Sequence, residues 1–189
     1  MNPELVLVRH GETEWTLSGQ HSGRTDVPLT EAGRRQVATV TPKLAGREFA
    51  RVLSSPLSRA WDTAALAGFA DRAERRDDLM EWDYGDYDGV TTPDIRKDRP
   101  GWTVWADGVP NGETVGDVGR RADRVLAEVR DSDGDALLFS HGHFLRILAA
   151  RWIGLPPDDG RRLALGPASL SVLGWERETP VIVRWNDQG

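Results

Sequence analysis

The chain has 189 residues, 39% of them hydrophobic and 29% charged, with a net charge of −6, which suits one domain able to bury its own core. It has no cysteine, so disulfides, thiolate metal sites and a cysteine nucleophile are excluded. The acidic balance argues against nucleic acid or an anionic membrane as partner.

Lysine occurs only at Lys43 and Lys97, so an anion site here has to be built from arginine. No basic stretch leads into a long apolar run near Met1. No segment approaches the roughly 18 apolar residues of a membrane span. A cytoplasmic protein is the expectation, and an isologous homodimer is the commonest form any self-association takes.

In chain order, Glu4–Val8 is apolar and rich in strand formers, and predicts a strand. Thr30 to about Ala45 opens with Thr-Glu-Ala-Gly and carries apolar residues at helical spacing, so it predicts a helix capped by Thr30. Arg51–Ser54 predicts a second strand, and Pro56–Ala67 a helix with proline in its first turn. The segment from 81 to about 113 is dense in Gly, Asp, Pro and Trp and reads as an insertion, with a short helix over Pro93–Asp98. Thr114 to about Arg130 predicts a long helix, Asp135–Phe139 a strand and Phe144–Ile153 a helix. Leu170–Trp175 and Val181–Trp185 predict two late strands joined around Thr179-Pro180. Strands alternating with helices predict a single domain over residues 1–189: a three-layer α/β/α sandwich with a mainly parallel sheet.

Two of these strands end alike. ELVLV runs into Arg9-His10-Gly11, and DALLF runs into Ser140-His141-Gly142. In open α/β sheets, ligands bind at the carboxyl ends of strands. If the two strands are neighbours, His10 and His141 face one crevice. A third strand leads through Ser54-Ser55-Pro56 to Arg59. Arg9, Arg59, His10 and His141 together would make a pocket for a dianion, since the planar guanidinium fork binds phosphate oxygens two at a time.

A neutral imidazole there can act as a nucleophile, while the cations stabilise a phosphoryl group in flight. The leaving oxygen needs a proton, and the acidic candidates are Glu81, Asp83, Asp86 and Asp88. Glu81 lies between Leu79-Met80 and Trp82, and a partly apolar setting would favour its protonated form. Among the eight tryptophans, Trp82, Trp102 and Trp105 would wall or cover the pocket, and Trp15, Trp61, Trp152, Trp175 and Trp185 would belong to the core. With no spare cation in sight, a substrate with one phosphate and a less charged body is favoured.

The stretch LVRHGETEW, Leu7–Trp15, resembles the signature of the histidine phosphatase superfamily, which includes the phosphoglycerate mutases. Further segments resemble the family in order: Gly23–Thr30, Ser54–Ala60 with Asp62–Ala64, Glu81–Gly89, Gly112–Thr114 and Ser140–Gly142. The resemblance implies a phosphoglycerate mutase-like fold and metal- and cofactor-independent phosphoryl transfer. His10 would be phosphorylated, Arg9, Arg59 and His141 would hold the phosphoryl group, and Glu81 would serve as general acid and base. It places Thr16, Tyr84, Trp82, the backbone of Ser22 and Gly23, and the N–H groups of Gly142 and His143 around a small phosphorylated substrate.

Thr16 stands where many relatives have asparagine. Trp82 stands where mutase-type relatives have arginine, and the insertion is short, which favours hydrolysis over mutase transfer. The segment Glu81–Tyr87 and the Trp102–Trp105 stretch most resemble small actinobacterial acid phosphatases and the sedoheptulose-bisphosphatase branch. That implies a sugar phosphate or sugar acid phosphate as substrate. The alternatives are mutase-type transfer, a non-catalytic phosphate-binding protein, and a metal hydrolase using His141, His143, Asp83, Asp86 and Asp88. Neither G-x-G-x-x-G nor G-x-x-x-x-G-K-[ST] occurs, so nucleotide-binding fingerprints are missing.

Overall fold

The computed structural model describes residues 2–188. Six strands form one sheet: β1 (Leu5–Arg9), β2 (Arg51–Ser54), β3 (Glu74–Arg75), β4 (Ala136–Ser140), β5 (Leu170–Glu176) and β6 (Thr179–Asp187). Their order is β3-β2-β4-β1-β5-β6. The pairings from β3 to β1 are parallel, and the last two are antiparallel. The sheet is therefore parallel at its centre with an antiparallel edge.

Central strands read as unbroken apolar runs because both faces are covered. Leu5 and Leu7 of β1 point into one core with Leu53 and Leu138, while Val6 and Val8 point into the other with Val52, Leu137 and Phe139. Helices α6 (Val115–Arg130) and α7 (Gly142–Trp152) close the first face. Helices α2 (Glu31–Leu44) and α3 (Ser58–Leu66) close the second. On α6 the buried residues Val118, Ala122, Val125, Leu126 and Val129 recur at helical spacing, so one stripe meets the sheet.

Several boundaries differ from the sequence reading. Pro56 lies outside α3, whose cap is Leu57, so the loop after β2 is longer than expected and Arg59 sits in the first turn. Helix α7 starts at Gly142 rather than Phe144, with His141 itself at the capping position. Thr179 and Pro180 lie within β6, paired with Glu176 and Trp175, and the turn falls at Arg177, in a left-handed conformation (φ 57°). A short helix α1 (Glu14–Ser18), capped by Thr13, was not read from the sequence. The expected insertion holds a 3₁₀ turn at Gly85–Tyr87, α4 (Thr92–Asp98) and a further short helix, α5 (Val104–Asp107).

One close approach shapes the loop after β1. A Cβ on Gly11 would lie 2.5 Å from the carbonyl oxygen of Gly33, and one on Gly33 would lie 2.2 Å from that of Glu12. Both positions need glycine for the loop to lie against the start of α2. No helix among the described residues is long and apolar enough to cross a membrane.

Candidate active site

Strands β1 and β4 are parallel neighbours, with Arg9 opposite Ser140. The chain leaves them in opposite directions: β2 flanks β4, and β5 flanks β1. This is a topological switch point, and the crevice at its carboxyl end receives His10 and His141 together. Their ring centroids are 5.1 Å apart.

His10 is buried at 3% exposure. Its Nδ1 lies 2.7 Å from the Gly11 carbonyl oxygen, which can only accept, so Nδ1 carries the proton and Nε2 keeps its lone pair. Burial first, then the charges of Arg59 and Arg9, hold the His10 pKa well below the usual histidine value. Burial and the same two arginines, with His10, do likewise for His141. Both rings are neutral, and His10 is a poised nucleophile.

Five buried side-chain polar atoms among the described residues lack a hydrogen-bond partner. Four of them are Arg9 Nε, Ser22 Oγ, Arg59 Nε and His141 Nδ1, and all four belong to residues beside His10. An orphaned buried polar atom costs about 1–3 kcal/mol, so a cluster of them marks a ligand site. Arg9, Arg59 and His141 are each braced from outside. Arg9 Nη1 donates to the Leu165 carbonyl. Arg59, with no exposed surface, donates from Nη1 to Thr25 O (3.0 Å) and from Nη2 to Ser22 O and Gly23 O (3.0 Å each). His141 Nε2 pairs with Ser55 Oγ at 2.8 Å.

Glu81 reaches the same pocket in a different environment from the one expected. Its Oε1 accepts from the backbone N–H of Trp82 and of Phe144 (2.9 Å each), and Oε2 accepts from that of His143 (3.0 Å). The carboxylate sits on the amino end of α7, a polar setting and not an apolar one. The His143 N–H proposed for substrate is thus taken by Glu81. The loop bearing Glu81 is held by Arg121, which the sequence reading missed. Arg121 donates to the carbonyls of Asp78 (2.7 Å), Met80 (3.0 Å) and Glu81 (3.3 Å) and pairs with Glu113 at 2.7 Å. The signal was the Gly112-Glu113-Thr114 segment, with an arginine two turns into the following helix.

The catalytic hollow has a volume of about 270 Å³ and is lined by Arg9, His10, Ser22, Glu81, His143 and Arg146 among others, including Thr16, Tyr84 and Gly142. Tyr84 is buried, with its hydroxyl 2.6 Å from His143 Nδ1, and burial keeps that phenol protonated. Thr16 Oγ1 donates to the Thr13 carbonyl in the cap of α1 (2.8 Å).

Three expectations need correction. The Gly23 N–H is committed to Asp88 Oδ1 (2.8 Å), and Asp88 also takes Thr25, so that carboxylate clamps a loop. Trp82 has no exposed surface and donates to Glu113 O (2.8 Å), so it backs the pocket from the core without lining it. An arginine there would be buried, not offered to substrate. Trp15, assigned to the core, lines the pocket instead.

Asp83 and Asp86, weighed as acids or ligands, bond to Gly85 N and Asn111 Nδ2. A spare cation does exist: Arg146 of α7 lines the pocket and makes no ion pair among the described residues, which sequence spacing did not reveal.

Comparison with known proteins agrees with this geometry. The profile of the histidine phosphatase superfamily (branch 1) matches residues 5–188. An acid phosphatase of Mycobacterium tuberculosis is 44% identical over 179 residues, covering 93% of this chain and 88% of its own. Sedoheptulose 1,7-bisphosphatase of Saccharomyces cerevisiae is 38% identical over 188 residues, covering 82% and 69%. The solved structure of a Mycobacterium tuberculosis open reading frame product superposes with a TM-score of 0.92 at 41% identity, covering 99% of this chain and 98% of that one.

Proposed function

The chain belongs to the histidine phosphatase superfamily, branch 1, and is a phosphatase; we propose that it hydrolyses small sugar-derived phosphomonoesters through a phosphohistidine on His10. The observation that carries this reading is a neutral imidazole with Nε2 free, set among four unpaired buried polar atoms.

In the first step the Nε2 lone pair attacks phosphorus, and the P–O bond to the leaving alcohol breaks. Glu81, in its acid form, gives that oxygen a proton. Arg9 and Arg59 balance charge on the three equatorial oxygens, and the neutral His141 ring offers them its unpartnered Nδ1. In the second step Glu81, now a carboxylate, takes a proton from water as the water oxygen attacks phosphorus. The N–P bond breaks, releasing inorganic phosphate and returning neutral His10. Electrostatic stabilisation and proton transfer from fixed groups supply the catalysis.

The substrate class follows from charge. Arg146 adds a guanidinium to the same hollow, so the pocket carries more positive charge than one phosphoryl group needs. A substrate with a second anionic group suits it better than the single phosphate and less charged body favoured by the sequence. The names of the acid phosphatase and the sugar bisphosphatase relatives accord with this.

The test is phosphate release from p-nitrophenyl phosphate in excess EDTA, with His10→Ala alongside. Turnover that survives EDTA and disappears in the variant is expected. Turnover that EDTA abolishes, or that His10→Ala retains, would overturn the mechanism.

A further inference from the structure

The two histidines of the site are turned in opposite senses. His10 points its Nδ1–H at the Gly11 carbonyl and keeps Nε2 bare for attack. His141 has its Nε2 engaged instead, 2.8 Å from the Ser55 hydroxyl, while its Nδ1 is buried with no partner. The nitrogen that carries the His141 proton decides whether this ring meets a phosphoryl oxygen with a hydrogen or with a lone pair.

Ser55 has no exposed surface and directly follows β2. Its backbone N–H donates to Phe139 O (2.9 Å), which ties it to β4, the strand that leads into His141. Its hydroxyl has two partners among the described residues, the Leu57 N–H at 3.3 Å and His141 Nε2. A hydroxyl has one proton to give and two lone pairs. The Leu57 N–H can only donate, so it occupies a lone pair of Oγ. The Ser55 proton is left with a single acceptor, His141 Nε2. The reverse arrangement, with Nε2–H donating to Oγ, would leave that O–H buried with nothing to receive it.

The surroundings of Nδ1 agree. Arg9 Nε and Arg59 Nε are unpaired buried donors in the same cluster, yet neither bonds to Nδ1. A bare lone pair would attract such a donor, and an N–H would not. Burial first, then the charge of Arg59, keeps the ring neutral, so only one of its nitrogens bears a proton.

We propose that Ser55 is a positioning residue for phosphoryl transfer: by donating to Nε2 it fixes the His141 proton on Nδ1, so that the ring offers an N–H to a phosphoryl oxygen. This rests on the phosphatase reading of the pocket. It adds that two neutral imidazoles, both protonated on Nδ1, do opposite work. One turns that nitrogen to a backbone carbonyl and presents a lone pair to phosphorus. The other turns it inward and presents a hydrogen to oxygen.

Long-range proton–nitrogen NMR correlation on protein labelled at histidine reads the tautomer directly. The chain has four histidines, and the His141 signals are those that vanish in His141→Gln. In the ligand-free wild type at neutral pH, Nδ1 of His141 is expected to be protonated and Nε2 bare. Inorganic phosphate should move the Nδ1 resonance and leave Nε2 bare. The opposite tautomer, protons on both nitrogens, or an Nδ1 resonance unmoved in the phosphate-bound protein overturns the proposal.

Ser55→Thr and Ser55→Val then isolate the hydroxyl, since the two side chains share a shape and any packing cost. Only Ser55→Thr should keep the wild-type tautomer. Its kcat/KM for p-nitrophenyl phosphate should exceed that of Ser55→Val about ten-fold or more, part of the roughly 10²–10³-fold that one donor to an oxyanion is worth. Equal values for the two overturn the proposal, and if neither variant folds the wild-type spectra decide it. Absence of wild-type turnover would refute the phosphatase reading, whereas the tautomer is read on the resting protein and stands or falls by itself.

Discussion

Lowering the pH should destabilise the ligand-free protein through its buried histidines. His10, His141 and His143 all have pKa values held well below the ordinary histidine value, in each case by burial first. The unfolded chain therefore binds protons that the folded chain refuses, and stability rises with pH across that interval. The contribution is complete above the unfolded value of about 6.5 and is lost as pH falls below it toward the folded values. At pH 5.5, one unit below the unfolded value, each neutral histidine costs about 1.4 kcal/mol, or about 3 kcal/mol for His10 and His141 together. His143 brings the total to about 4 kcal/mol, a large share of a stability of roughly 5–15 kcal/mol.

Urea unfolding at pH 7.5 and 5.5 measures the difference directly. Phosphate buffer is avoided, because an anion in the pocket would stabilise the folded state by mass action. His141→Gln should shrink the difference by about 1.4 kcal/mol, since one proton leaves the count. The shifted carboxylates Asp78, Glu113 and Asp117 are all lowered, so they titrate below this window. A difference below about 1 kcal/mol would refute the reasoning, because the histidines would then be protonating in the folded state.

Glu81→Gln should slow an alkyl phosphate by about 10²–10⁴-fold and p-nitrophenyl phosphate far less, because only the poor leaving group needs the proton. Equal losses for both would remove Glu81 from that role, and a thermal melt checks that the amide has not disturbed the three N–H contacts. Gly142→Ala tests the seat of Arg9: the new Cβ would meet the guanidinium carbon at 3.2 Å and Nε at 3.3 Å. With Arg9 tied to Leu165 it can yield only slightly, so kcat/KM should fall by about ten-fold with the urea midpoint little changed; an unaltered kcat/KM would show that Arg9 does not need its present position.

Much of the arrangement is legible in the chain because strand runs and helix spacing are local signals. ELVLV and DALLF read as strands since β1 and β4 are buried on both faces, and the two His-Gly pairs after them locate the crevice. What pairs with what is not local. That β4 lies beside β1 follows from the sheet order, and only this adjacency brings His10 and His141 within 5.1 Å of each other.

The same limit explains the misreadings. Trp82 and Trp15 are both tryptophans near site residues, yet one faces the core and the other the pocket. Glu81 looks apolar by its neighbours in sequence, but its partners are the N–H groups at the start of α7, about sixty residues on. Arg146 reads as a surface arginine until the fold sets it in the catalytic hollow. The sequence by itself determined the elements and the chemical types available. The tertiary structure decided which donors remained unpaired, because hydrogen-bond satisfaction depends on partners from distant parts of the chain.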